Sequence, residues 1–215
     1  NPFLHKADSR GLAEHRWRIS RHNFSFANYY NPERMNFGLL RVVNDDIVKP
    51  GKGFGTHPHE NMEIVSIPLA GALRHQDSMG NTQRIRAGEV QIMSAGTGLT
   101  HSEFNGSDSA DVELLQRRVF PKERDIEPRY DQKLFAAEDR VNRLQEVVSP
   151  DETGSGVWIN QDAWFVRGDF SVGEAGRYVL RKPGNGVYLF VIEGCIDVAG
   201  ESLGRRDGLG IDDVT

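Results

Sequence analysis

The stretch Thr56-His-Pro-His-Glu-Asn-Met-Glu63 carries two histidines at i, i+2 with two carboxylates close behind. A strand projects alternate side chains to one face, so His57 and His59 point the same way, with Pro58 opposite. If the strand runs on, Glu63 shares that face and would accept an N–H from one of the imidazoles, while Glu60 faces away. The pattern is half of a metal site. A second pair at the same spacing, His101 and Glu103, ends the segment Ala95-Gly-Thr-Gly-Leu-Thr-His-Ser-Glu103, just after a glycine-containing turn. Three imidazoles and one carboxylate from two strands suit one divalent first-row ion, whether Fe(II), Mn, Co, Ni, Cu or Zn. In an octahedral site they leave room for exogenous ligands. A closed structural zinc site fits less well, because such sites lean on cysteine and none is near. His5, His15, His22 and His75 have no partners at ligand spacing and read as surface or hydrogen-bonded residues.

Outward from these motifs the chain reads as many short strands separated by turn signals, with little 3.6-residue apolar periodicity. Strands are predicted over 37–43 (closed by a turn at Asn44-Asp45-Asp46), 62–69, 72–75, 83–86, 90–94 and 112–120. The run Asp77-Ser-Met-Gly-Asn81 reads as a hairpin turn. The charged, Pro-flanked segment 122–130 is a connector. Between 134 and 148 the run AAEDRVNRLQEVV is the one helix candidate, with a loop followed by a strand as the alternative. A second strand series follows at 157–159, 163–166, 177–180, 187–192 and 196–198. Leu69-Ala-Gly71 and Ile192-Glu-Gly194 echo each other, each ahead of a further turn and strand. Two related β-domains explain the echo, and the second lacks any His-x-His. This is an all-β chain, built as a sandwich or barrel.

Composition narrows the function classes. The 215 residues carry a formal net charge of −5 with the two signs interspersed, which argues against a nucleic-acid or anionic-membrane partner. No apolar run reaches the length of a membrane span and no signal segment opens the chain. Cys195 stands alone in an apolar run, reads as a core residue, and suits a reducing cytoplasm. The chain opens at Asn1 and stops at Asp213-Val214-Thr215, where another strand is expected to begin.

The segments GFGTHPHENMEIVSIPLAGAL, HQDSMGN and GEVQIMSAGTGLTHSEFN resemble the pirin family of bicupins, nearest its bacterial quercetin 2,3-dioxygenase-like members. The resemblance extends from HKADSRG and FSFANYYNPERM through FPKERDIEPRYDQ and VWINQDAW to LGRRDGLGI, nearly the whole chain. It implies two cupin barrels: a metal-binding one over 1–130, and one over 131–215 without a metal site and short of its last strands. It implies His57, His59, His101 and Glu103 as ligands of one metal ion, usually iron as Fe(II). Glu63 matches a glutamate of the wider superfamily's first motif, but the pirin-like fourth ligand matches Glu103. The implied activity is a dioxygenase acting with O2 on a flavonol-like aromatic substrate, Glu103 serving also as the base. Met62, Ile64, Ile92 and Met93 flank the ligands, as pocket wall or as barrel packing. The alternative is a non-enzymatic iron-binding regulator read by a protein partner. One departure stands out: Arg117-Arg118 occupy positions where relatives usually carry apolar residues. Adjacent strand residues face opposite sides, so one arginine points inward, to a pocket or an interdomain seam.

Overall fold

A computed structural model describes residues 3–214 of the chain. The strands of the first half are β1 (Phe3–His5), β2 (Gly11–His15), β3 (Arg18–His22), β4 (Leu40–Val48), β5 (Gly53–His59), β6 (Glu63–Ala70), β7 (Ala72–Asp77), β8 (Thr82–Arg86), β9 (Glu89–Ser94), β10 (Leu99–Asn105), β11 (Val112–Val119) and β12 (Arg129–Leu134). Those of the second are β13 (Gln145–Ser149), β14 (Val157–Trp158), β15 (Phe165–Arg167), β16 (Val187–Phe190), β17 (Ile196–Val198), β18 (Glu201–Leu203) and β19 (Gly208–Ile211). Among the described residues helix is confined to two short 3₁₀ turns, Ala7–Ser9 and Ala137–Arg140.

Two sheets face each other in the first half. One has the order β12-β9-β6-β11-β4-β3-β2 and the other β5-β10-β7-β8. Strand β5, with Pro58 inside it, lies at the edge of the smaller sheet, where a residue without an N–H costs no ladder bond. The second half adds the order β14-β13-β15 and the hairpin β17-β18. The two ends of the chain meet in a third small sheet, β1-β19-β16, with Phe3 opposite Gly210 and His5 opposite Gly208.

The outer face of the large sheet is where the halves join. Val65, Ile67, Ile92 and Leu115 from the first half form one buried cluster with Val147, Val148, Val157 and Ile159 from the second. Strand alternation divides the two arginines of β11 between the sides of this sheet. Arg117 is buried in the seam, its guanidinium 5.0 Å from the centre of the Phe190 ring. Burial lowers its pKa to about 10. Arg118 lies on the other face, inside the first barrel. The paired turns behind the internal echo are also real: Gly71 (φ 76°) and Gly194 (φ 81°) both take the left-handed conformation open to glycine.

Four expectations need correction. The run AAEDRVNRLQEVV forms no helix; a 3₁₀ turn is followed by β13. Val141 and Leu144 face solvent, and Asn142 takes φ 53°, which a right-handed helix cannot continue. Asn44-Asp45-Asp46 is no turn but the middle of β4, because distant partners satisfy its polar groups: Ser20 Oγ–H donates to Asp46, and Arg10 and Arg206 pair with Asp45 at 2.8 and 3.2 Å. Residues 177–180 form no strand. Cys195 is exposed rather than in the core, since the chain bends out at Gly194 before β17. The strand anticipated past Asp213 runs into Thr215, outside the described residues. No helix among the described residues is long and apolar enough to cross a membrane.

Candidate metal centre

Alternation along β5 and β10 brings the two sequence pairs together. His101 lies directly opposite His57 in the antiparallel ladder, and Leu99 opposite His59. The Nε2 atom of His101 is 2.9 Å from that of His57 and 3.1 Å from that of His59. His57 Nδ1–H donates to the Gly55 carbonyl at 2.7 Å, which leaves its Nε2 lone pair aimed into the cluster. Burial first, then Arg118 and His57, lowers the pKa of His59 to about 3. Burial and the neighbouring imidazoles lower His101 to about 2. Both rings are therefore neutral near pH 7. Three nitrogens facing one another cannot all be served by shared protons, and a cation resolves the conflict. Two metal–nitrogen bonds of about 2.1 Å at right angles set their donors about 3 Å apart, matching the spacing found.

Glu103 is two residues further along β10, past an irregularity in its pairing with β5. Its carboxyl is 2% exposed and sits in a polar pocket inside the barrel. Oε1 accepts from the Ser66 hydroxyl at 3.4 Å and Oε2 from the Gln116 amide at 3.3 Å. Burial raises its pKa to about 7, opposed by the Arg118 guanidinium. Its ligand oxygen lies within 4.8 Å of donor nitrogens on His101 and His75, while the group of His57, His59 and His101 closes without it. His101 is the member common to both groups, and both lie in the first half of the chain.

His75 was read as a surface or hydrogen-bonded residue; it is fully buried and hydrogen-bonded. It stands opposite Glu103 in the ladder, and its Nε2–H donates to Asp77 Oδ2 at 2.8 Å. The signal available in the sequence was the i, i+2 pair His75-Gln-Asp77 on a strand. Glu63 is the correction here. It touches no imidazole; its Oε2 accepts from Ser94 Oγ at 2.7 Å and from the Asn160 backbone N–H at 3.1 Å, tying the first half to the second. Asn61 takes φ 45°, so the alternation begun at His57 is broken before β6 starts. Glu60 does face solvent. Met62, Ile64 and Met93 pack with Ala95, Leu99 and Tyr130 as barrel core, and Ile92 lies in the seam between the halves.

Residues 5–119 match the pirin family and residues 146–215 the quercetinase C-terminal cupin domain. The quercetin 2,3-dioxygenase of Escherichia coli (strain K12) is 44% identical over 209 residues, 97% of this chain and 89% of that protein. A pirin-like protein of Caulobacter vibrioides is 39% identical over 207 residues, 96% of this chain and 88% of that protein. The crystal structure of bacterial pirin YhhW from Escherichia coli in complex with nickel(II) aligns with a TM-score of 0.84 at 40% identity, covering 100% of this chain and 91% of that one. With its paired barrels and both parts of its sequence matched, the chain belongs to the pirin family of bicupins.

Proposed function

We propose that this protein is a metal-dependent dioxygenase that uses O2 to open an enolic aromatic ring of the flavonol type. The observation that carries the reading is the convergence of three imidazole Nε2 atoms, two contacts at 2.9 and 3.1 Å, beside a buried carboxyl on the same strand. His57, His59, His101 and Glu103 would hold one divalent ion, Fe(II) by preference, in the barrel spanning 1–130; the barrel over 131–215 would hold none. A relative described as a bacterial pirin in complex with nickel(II), and others named quercetin 2,3-dioxygenase, support it. When bound, such an ion supplies Lewis acidity and a route for electrons between an enolate and O2.

The protein's own groups do the rest. Glu103 would take the proton from the substrate hydroxyl, its carboxyl lying buried beside His101 on the same strand. Ser66 and Gln116 fix the carboxyl by one hydrogen bond to each oxygen. The neutral imidazoles leave the positive charge of the site uncancelled, which favours an ionised substrate oxygen over the neutral hydroxyl. A reducing cytoplasm is the fitting setting for ferrous iron. The test is O2 uptake by anaerobically iron-loaded protein on adding quercetin, with His101→Ala as the control. Uptake abolished by the substitution supports an oxygenase. Full iron occupancy with no uptake from any flavonol would leave the non-enzymatic regulator instead.

A further inference from the structure

Arg118 is unexplained by metal binding. Its neighbour Arg117 serves the seam, but Arg118 stands on the inner face of β11, opposite Val42 and Ile64. Its Nε–H and Nη2–H both donate to Gln116 Oε1, at 3.0 and 2.8 Å, and Gln116 Nε2–H in turn donates to Glu103. The guanidinium is therefore two hydrogen bonds from the carboxyl of the metal cluster, and its charge acts on His59, His101 and Glu103 alike. Its other fork is free: among the described residues Nη1 has no hydrogen-bond partner, and the side chain is only partly buried. The Phe26 ring lies 5.1 Å beneath the guanidinium, partly exposed, on the loop between β3 and β4.

We propose that Arg118 is a specificity residue, its free fork receiving the carboxylate of a planar aromatic acid laid against Phe26 beside the metal centre. This rests on the oxygenase reading and narrows its substrate from neutral flavonols to aromatic acids. The chemistry is that of a planar guanidinium, whose paired N–H groups match the two oxygens of a carboxylate.

The test is calorimetric binding of salicylate and of its neutral isostere salicylamide to the metal-free protein, so that chelation plays no part. Wild-type protein binds salicylate about tenfold tighter than the amide. Arg118→Met abolishes the difference, and Arg118→Lys keeps part of it. If Arg118 served only to hold Gln116, its removal would weaken nickel binding without changing the salicylate-to-salicylamide ratio. Equal affinity in the wild type, a preference that survives Arg118→Met, or no salicylate binding at millimolar concentration overturns the proposal. The oxygenase reading fails separately: iron-loaded protein that binds salicylate through Arg118 but consumes no O2 with any aromatic acid or flavonol is an anion-binding metalloprotein.

Discussion

Gln116 is the residue that links Glu103 to Arg118 inside the barrel. Its amide donates to Glu103 Oε2 and its carbonyl accepts both forked donors of Arg118. A metal ligand held by an outer hydrogen bond loses affinity when that bond goes, typically 10- to 100-fold. Gln116→Leu is therefore expected to weaken nickel binding by about that factor, read by competition titration against a chelator. An affinity unchanged within about twofold would show that Ser66 alone fixes the carboxyl. His101→Ala removes the nitrogen common to both ligand groups and should reduce bound metal from stoichiometric to a trace. Such residues differ in how legible they were. The grouping of His57, His59 and His101, with Glu103 beside His101, is legible because a period of two converts spacing into a shared face. Gln116 and Ser66 arrive from strands β11 and β6, whose approach to β10 no local spacing encodes. Glu63 was misread because one left-handed residue, Asn61, ends the alternation that appeared to include it.

Turns carry the same lesson for whole elements. The turn before β10 aims His101 and Glu103, and its Gly96 takes φ 49° against the backbone of the connector, where an added Cβ would lie 2.0 Å from the Ile126 carbonyl oxygen. Gly96→Ala should cost on the order of 3 kcal/mol, from backbone strain and the forced shift of the connector together. Gly55, inside β5 two residues before His57, offers the contrast. An added Cβ at Gly55 would meet nothing within 4 Å, and an alanine keeps the carbonyl that receives His57 Nδ1–H. Gly55→Ala should stay within about 0.5 kcal/mol of wild type in urea denaturation, with nickel binding retained. A Gly96→Ala protein as stable as wild type would refute this account of the turn. Most strands of the first half were legible because their turns are built from Gly, Asn and Asp. Strands β1 to β3 and β12 were not anticipated, whereas two outright misreadings share one physical cause. Asn44-Asp45-Asp46 has turn chemistry, yet three partners distant in sequence hold it in a strand. The run 136–148 has helix composition, yet its Val141 and Leu144 face solvent, and Val147 and Val148 are claimed by the seam. Tertiary partners overrode local preference in each.

At the scale of the molecule, the chain closes on itself through β1 and β19, and that closure depends on a neutral histidine. His5 is buried there, its Nδ1 2.9 Å from the Tyr188 hydroxyl, which also accepts from Asn23 Nδ2 at 2.8 Å. The hydroxyl that accepts from Asn23 keeps a proton to give to His5, a pairing that suits a neutral imidazole. Burial, then the nearby Arg34 charge, lowers the pKa of His5 to about 4. Above pH 6.5 the imidazole is neutral in both folded and unfolded chains, and its contribution is fully present. As pH falls from 6.5 towards 4 the unfolded chain takes up a proton that the folded one refuses, so stability is lost. Asp46 and Glu103, whose pKa values are raised to about 6 and about 7, run the other way and gain stability as pH falls. The total pH profile therefore conceals the histidine, and only a difference between proteins isolates it. His5→Asn has no group to titrate in this window. Between pH 7.5 and 5.0 the wild type should lose about 1 kcal/mol more than His5→Asn, allowing for partial solvent screening. Urea midpoints at the two pH values measure it, and parallel profiles for the two proteins would mean that the joined termini carry no acid sensitivity of their own.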